Sequence, residues 1–300
     1  MKPSVVIHTN HKQMLGALVS AHSFRRNARD PDSFEIRIMH SRDYPELQLK
    51  GRSFRRGGAT RLWDPDDLQS FTPLRFAVPD LMNHAGLALV VDPDVFAIAD
   101  VATLFSRDLQ GKAIWCCARP GYNNDPDYLA TSVMLLDCGK LPHWRFAEEL
   151  SALWEGKFDY IDWIELKRED RATIGLLEPE WNDFDRLTEK TKILHTTKRR
   201  TQPWKTGLPV DFTLREDKGL RGLVSPIARL FYRHYRAHPD ANQEAYFYAL
   251  LAEALDCGSI DRADVEREIA LGHVRPDSRG LIERHRGRLW PAEPAAPRAA

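Results

Sequence analysis

The sequence predicts an α/β protein with a mostly parallel central sheet, helices on both sheet faces, and a helical region after it. Three observations carry this. Short apolar runs alternate with helix-like segments over roughly 200 residues, the pattern of strands joined by crossover helices. Several of the runs are continuously apolar, as strands covered on both faces are. After Leu214 the texture changes, and only helical patterns follow.

Each element has its own warrant. Ser4–Thr9 (SVVIHT) is a β-branched strand, and Met14, Leu15, Leu18 and Val19 then share one helical face. Phe34, Ile36 and Ile38 alternate with Glu35 and Arg37, giving a second strand. Lys50–Gly58 is rich in Arg, Lys, Gly and Ser and reads as a loop. Phe71–Met82 reads as a helix. Leu87–Val91 (LALVV) is a buried strand that stops at Asp92-Pro93-Asp94. Ala113–Cys117 and Val133–Leu136 are further strands, Leu141–Trp154 an amphipathic helix, and Lys192–Leu194 a late short strand. Beyond the polar Glu216–Gly219, the segments Ile227–Tyr235, Gln243–Leu255 and Asp261–Leu271 read as helices; Gly258 marks a stop, and Asp261 with Asp264 a start. The expected division is an α/β domain over 1–215, a helical region over 216–286 and a flexible tail over 287–300. Phe231, Tyr232, Tyr235, Tyr246, Phe247 and Tyr248 are expected to pack the helices onto the first domain.

Composition narrows the function. With 43 basic and 43 acidic side chains the formal charge is zero, which excludes a general nucleic-acid binder. A 43% hydrophobic content supplies a core and excludes a disordered chain. The longest apolar run, Ala245–Ala252, falls short of the ~18–20 residues that span a bilayer. The N-terminus shows no apolar secretion signal. Cys116, Cys117, Cys138 and Cys257 include no C-x-x-C pair, so reduced thiols and a cytoplasmic location are expected.

The most informative stretch is the apolar strand that delivers Asp92 and Asp94 to a carboxyl-terminal sheet edge, where α/β proteins bind ligands. Carboxylates at i and i+2 around a proline bend can face one hard cation; Mg²⁺ or Mn²⁺ prefers such oxygen ligands and leaves positions for phosphate. An acidic turn capping the next helix is the simpler reading of the same residues. Apolar strand followed by Asp-x-Asp-x-Val also looks like the first motif of haloacid dehalogenase-type phosphatases. Against that, two strands precede it, and no later acidic pair with an intervening lysine is found.

Several stretches together resemble glycosyltransferase family 8, the retaining transferases of GT-A fold that include glycogenin and bacterial galactosyltransferases. In the family's order come Phe71-Thr72-Pro73-Leu74-Arg75, Val90-Val91-Asp92-Pro93-Asp94 followed by Asp100–Phe105, Phe158-Asp159-Tyr160-Ile161-Asp162, Leu177–Asn182, and Ile193-Leu194-His195 with Pro203-Trp204-Lys205. The resemblance covers roughly residues 3–210. It implies a GT-A nucleotide-diphospho-sugar transferase fold and transfer of a sugar from a nucleotide diphosphate donor, UDP-linked by analogy, to a glycan, small-molecule, lipid or protein acceptor. It also implies Asp92, Asp94 and His195 as ligands to Mn²⁺ (or Mg²⁺), and Asp162, with Asp159 as the alternative, as the acid beside the anomeric carbon. His8, Thr9 and Asn10 would form the base pocket, and Arg75 would clamp phosphate. Lys198, Arg199, Arg200 and Lys205 would supply a cationic cover over the diphosphate.

The chain departs from the family at Ala130-Thr131-Ser132 (usually Asn-Ser-Gly), Trp163 (usually Gln), Lys198 (usually Gly) and Gln202 (usually Lys). Those departures keep a second expectation open, a catalytically silent GT-A domain that binds a nucleotide sugar or a partner. The 101 residues between Asp94 and His195 are expected to be bridged by strand ends meeting at one edge of the parallel sheet.

Overall fold

The computed structural model describes residues 1–122, 125–212 and 233–288. Its centre is a six-stranded sheet in the order β2-β1-β5-β8-β7-β9. The strands are β1 (Ser4–Thr9), β2 (Glu35–His40), β5 (Leu87–Val91), β7 (Ile114–Ala118), β8 (Leu129–Asp137) and β9 (Ile174–Leu176). β1 pairs parallel with β2 and β5, and β7 with β9. Only β8 runs against the rest, between β5 and β7. The predicted class, mostly parallel α/β, is the observed one.

Both sheet faces are covered, which is why the inner strands β1 and β5 are apolar on both sides, while the edge strand β2 keeps Glu35 and Arg37. Val6, Ala88 and Val90 point into one apolar cluster with Phe76, Trp144 and Trp163. Val5, Ile7, Leu89 and Val91 point into the other, with Ala17, Phe24 and Trp181. All six residues of β1 are buried, as a strand paired on both edges requires.

Helix α1 (Met14–Asn27) follows β1 and lies against a second, three-stranded sheet in the order β10-β11-β6. Its strands are β6 (Val95–Ala97), β10 (Asp183–Phe184) and β11 (Ile193–His195). Ser20 Oγ donates to the Val95 carbonyl (2.6 Å), Asn27 Nδ2 donates to the Ala97 carbonyl (2.8 Å), and the Ala97 N–H donates to Ser23 Oγ (2.9 Å). These bonds hold the helix to β6.

Helices α6 (Ala241–Asp256), α7 (Arg262–Ala270) and α8 (Ser278–His285) match two of the predicted C-terminal helices and add one. The intervening helices are α2 (Val78–Leu81), α3 (Ala102–Phe105), α4 (Phe146–Trp154) and α5 (Tyr160–Ile164). Tyr246, Phe247, Tyr248 and Leu250 of α6 share a cluster with Leu15, Val19, Phe96, Leu194 and Trp204. Trp204 stacks on Phe247 at 4.7 Å. Of the predicted helix over Ile227–Tyr235, residues 227–232 lie outside the described residues, as do 216–219 and all but the first two residues of the predicted tail.

Three local readings need correction. The loop expected over Lys50–Gly58 contains half of a hairpin, β3 (Ser53–Arg56) with β4 (Ala59–Leu62). Gly57 and Gly58 turn it with positive φ, and their N–H groups donate to Asp159. Phe71–Met82 is mainly a 3-10 helix, Thr72–Ala77, with one α turn, Val78–Leu81; Pro79, interior to the segment, removes an N–H donor a continuous α-helix needs, whereas Pro73 sits in the first turn. The edge strand β9 was not foreseen, since a three-residue run carries no readable period.

Candidate active site

The predicted metal residues meet, by a route the sequence did not indicate. β11 pairs antiparallel with β6, with His195 opposite Val95, and the Thr196 N–H donates to the Asp94 carbonyl at 3.0 Å. The small mixed sheet, not the parallel sheet's edge, closes the 101-residue gap. Asp92 leaves β5 with its N–H donated to the Ser132 carbonyl at 3.0 Å. One ligand atom from each of Asp92, Asp94 and His195 lies within 4.8 Å of the others, and all three residues are buried.

Hydrogen bonds assign the tautomer of His195. Asn182 Nδ2 donates to Ser132 Oγ (3.0 Å), and Asn182 Oδ1 lies 3.0 Å from His195 Nδ1, which also stands 3.2 Å from Ser132 Oγ; with the amide so oriented, Oδ1 accepts from Nδ1. The ring proton is on Nδ1, and the Nε2 lone pair points 3.5 Å from Asp94 Oδ1. That carboxylate oxygen is buried and has no hydrogen-bond partner, while its twin accepts from Gln202 Nε2 at 3.1 Å. The unpartnered carboxylate oxygen and the ring nitrogen face each other across that gap. Ligand atoms each about 2.2 Å from one ion stand about 3.1–3.6 Å apart at octahedral to tetrahedral angles. The Asp94–His195 pair fits a divalent cation.

Asp92 is differently placed. Arg75 Nη2 donates to both of its oxygens (2.6 and 2.5 Å), and Arg75 Nη1 donates to Thr131 Oγ1 (2.6 Å). His8 Nε2 lies 2.8 Å from Asp92 Oδ1. Burial works against charge on Asp92, but the Arg75 guanidinium and the His8 hydrogen bond hold its carboxyl well below the usual range. Burial also pulls His8 below the ordinary imidazole value; its Nε2 sits between Asp92 Oδ1 (2.8 Å) and the Arg75 Nε–H, which points at it from 3.2 Å, and its Nδ1 has no partner.

An open cavity spreads from this trio. Its wall includes Arg75, Asp92, Asp94 and His195, together with Arg56, Arg119, Arg199, Tyr128, Tyr160 and Glu165. Other predicted residues lie away from it. His8, Thr9 and Asn10 are fully buried. The Asn10 amide donates to the Asp67 and Leu68 carbonyls and to Ser70 Oγ, pinning that loop. Lys198 is exposed. Lys205 is buried with Nζ 3.0 Å from Asp211; burial lowers its pKa against the pull of that carboxylate. Of the predicted basic cover, Arg199 is in the cavity wall. Asp162 is half-buried on α5 and outside the wall. Glu165, one residue past the end of α5, is in the wall and pairs with Lys167 at 2.7 Å.

Sequence reasoning overlooked Glu165, Ser132, Asn182 and Gln202 as residues of this site. Glu165 sits three positions after Asp162, one helical turn on, and that spacing was the available signal. The other three act only through contacts across the fold.

The fold and site define an α/β protein with a candidate divalent-cation centre beside a strand's carboxyl end, at the mouth of a cavity. No family model matches the sequence, and no curated protein matches it. Similar solved structures are glycosyltransferases. The galactosyltransferase LgtC in complex with donor and acceptor sugar analogs shares 14% identity, with a TM-score of 0.47 over 67% of this chain and 89% of that one. The apo form of the glycosyltransferase GlyE of Streptococcus pneumoniae shares 16%, with 0.49 over 86% and 64%. The bifunctional WbbM shares 14%, with 0.47 over 68% of this chain, which spans only 47% of that one.

Proposed function

We propose that the chain is a metal-dependent retaining glycosyltransferase, taking its sugar from a nucleotide diphosphate donor that is UDP-linked. The observation that carries the reading is the Asp94 Oδ1–His195 Nε2 pair, a buried carboxylate oxygen without a partner 3.5 Å from a ring nitrogen at the mouth of a cavity. Asp94 and His195 would hold Mn²⁺ (or Mg²⁺), with Asp92 as third ligand; the ion would offset charge developing on the departing diphosphate. The ordered motif blocks of family 8 and the likeness to glycosyltransferases are consistent with it.

The chain's own groups then have distinct tasks. Gln202 and Asn182 hold Asp94 and His195 in place. Arg199 and Arg75 place positive charge where a diphosphate leaves. The acceptor oxygen forms its bond to the anomeric carbon as the carbon–oxygen bond to the diphosphate breaks. The hydroxyl proton passes to the leaving phosphate oxygen. Glu165 and Asp162 are the acidic candidates for steadying positive charge on the sugar, and orientation and electrostatics supply most of the rate.

One observation favours a silent binding domain instead: Arg75 already occupies both oxygens of Asp92. A panel of nucleotide sugars incubated with the chain and Mn²⁺ separates the two. Metal-dependent release of UDP, abolished by EDTA, supports the enzyme, and the product's anomeric configuration by NMR tests retention. UDP binding without turnover of any donor favours the silent domain.

A further inference from the structure

Two guanidinium groups in the cavity wall have no part in the reading above. Arg119 follows β7, with its guanidinium 4.1 Å from the Tyr122 ring centre and 4.2 Å from that of Phe184. Arg56, at the end of β3, lies 4.8 Å over the ring of Tyr160. No carboxylate among the described residues pairs with either of them, although both lie in the wall. Aromatic contact occupies the face of a guanidinium and leaves its in-plane N–H edge free for a ligand.

The wall's other charges are largely spoken for. Arg75 neutralises Asp92, Lys167 neutralises Glu165, and Asp94 faces His195. A positive surplus therefore remains at Arg56 and Arg119. Arg119 is set apart from the trio, since β7 lies two strands from β5, about 10 Å at ordinary strand spacing, and Arg56 enters the same wall from the β3–β4 hairpin. Phe184 bridges the interval, its ring 5.7 Å from that of His195 and against Arg119. Tyr128 and Tyr160 line the same cavity with apolar ring surface and a hydroxyl each.

We propose that this end of the cavity is an anion subsite for the sugar substrate, which carries an oxyanion of its own, carboxylate or phosphate, beyond the diphosphate of the donor. The proposal rests on the glycosyltransferase reading and deepens it by naming a substrate class. The guanidinium edges of Arg119 and Arg56 match the paired oxygens of a carboxylate or phosphate, and the half-buried Tyr128 offers ring surface to a pyranose.

Ligand-observed NMR titration of the full chain with glucuronate, glucose 6-phosphate and glucose tests this, with and without Mn²⁺ and UDP. At least one acidic sugar should bind about tenfold or more tighter than glucose, with the preference weakening as salt rises. Arg119→Gln and Arg56→Gln should each erode the preference, and together abolish it, with unchanged near-ultraviolet circular dichroism. Arg119→Lys, which keeps charge but loses the planar edge, should retain part of it. Which acidic sugar binds tighter distinguishes carboxylate from phosphate. Equal binding of acidic and neutral sugars, or a preference that survives the double substitution, overturns the proposal. So does a loss of UDP affinity in Arg119→Gln without any acidic-sugar preference, which would assign the guanidinium to the diphosphate. Binding is read without turnover, so a chain that transfers no sugar yet prefers acidic ones would sink the catalytic reading alone.

Discussion

Replacing Gly16 by alanine should damage the metal motif from behind. A Cβ there would stand 2.7 Å from the Pro93 carbonyl oxygen and 3.0 Å from Cζ2 of Trp204. Ordinary contact begins near 3.4 Å, so Pro93 or α1 must yield by about 0.7 Å. The helix cannot easily retreat, because Ser20, Ser23 and Asn27 tie it to β6. Pro93 lies between Asp92 and Asp94, and metal–ligand distances tolerate only about 0.2 Å. In an open helix, glycine to alanine gains up to about 1 kcal/mol; forced overpacking costs about 1–3 kcal/mol. The net expectation is about 0–2 kcal/mol of destabilisation and at least about tenfold weaker Mn²⁺ binding. Gly280→Ala is the control, since nothing lies within 4 Å of its added Cβ; it should stabilise by about 0.5–1 kcal/mol. Urea denaturation gives the stabilities and calorimetry the metal affinity. If Gly16→Ala were as stable as Gly280→Ala and bound Mn²⁺ like the parent, the packing argument would fail.

Other perturbations probe the same centre. His195→Ala should weaken Mn²⁺ binding more than His143→Ala or His234→Ala, and Asn182→Ala should cost about 10–100-fold by releasing the ring; calorimetric titration compares the four. Since Arg75 and a cation compete for Asp92, Mn²⁺ should bind more tightly with UDP present, and Arg75→Gln should strengthen Mn²⁺ binding in its absence; equal affinities throughout would contradict the competition. His40 is held neutral, its pKa lowered to about 4 by burial and by nearby Arg42, and its Nδ1 accepts the Arg42 N–H at 2.9 Å. A depressed histidine costs stability as pH falls from its unfolded value of about 6.5 toward 4, because the unfolded chain takes up the proton first. His40→Asn keeps an acceptor for Arg42 but cannot titrate, so its melting temperature should fall less than the parent's between pH 7 and 4.5.

The parallel strands were legible because burial on both faces writes itself as an unbroken apolar run, as in Leu87–Val91. Asp92-Pro93-Asp94 was legible because charge directly after such a run is conspicuous. The hairpin at Ser53–Leu62 was not, since its alternation is masked by arginines; only Phe54 is buried in its first strand. His195 emerged from the family blocks, whereas the amide holding its tautomer did not. Asn182 looks like any polar loop residue until β10 and β11 bring it to the ring. Arg75 was expected to face phosphate. Its grip on Asp92 reflects the cost of leaving a buried carboxylate unpaired, which no local pattern reveals.

The cluster joining Phe96 and Leu194 to Tyr246, Phe247 and Leu250 has a consequence for biosynthesis. β6 and β11, which set Asp94 against His195, lean on a wall made of residues translated after them. At ~5–20 residues per second, the ribosome leaves those two strands without their apolar backing for several seconds. During that interval Phe96, Leu194 and Trp204 lack the cover of Tyr246, Phe247 and Leu250. The candidate cation centre then becomes rigid only after Ala241–Asp256 has emerged, so a nascent chain arrested before Ala241 should present these residues to chaperones with Asp94 and His195 not yet in register.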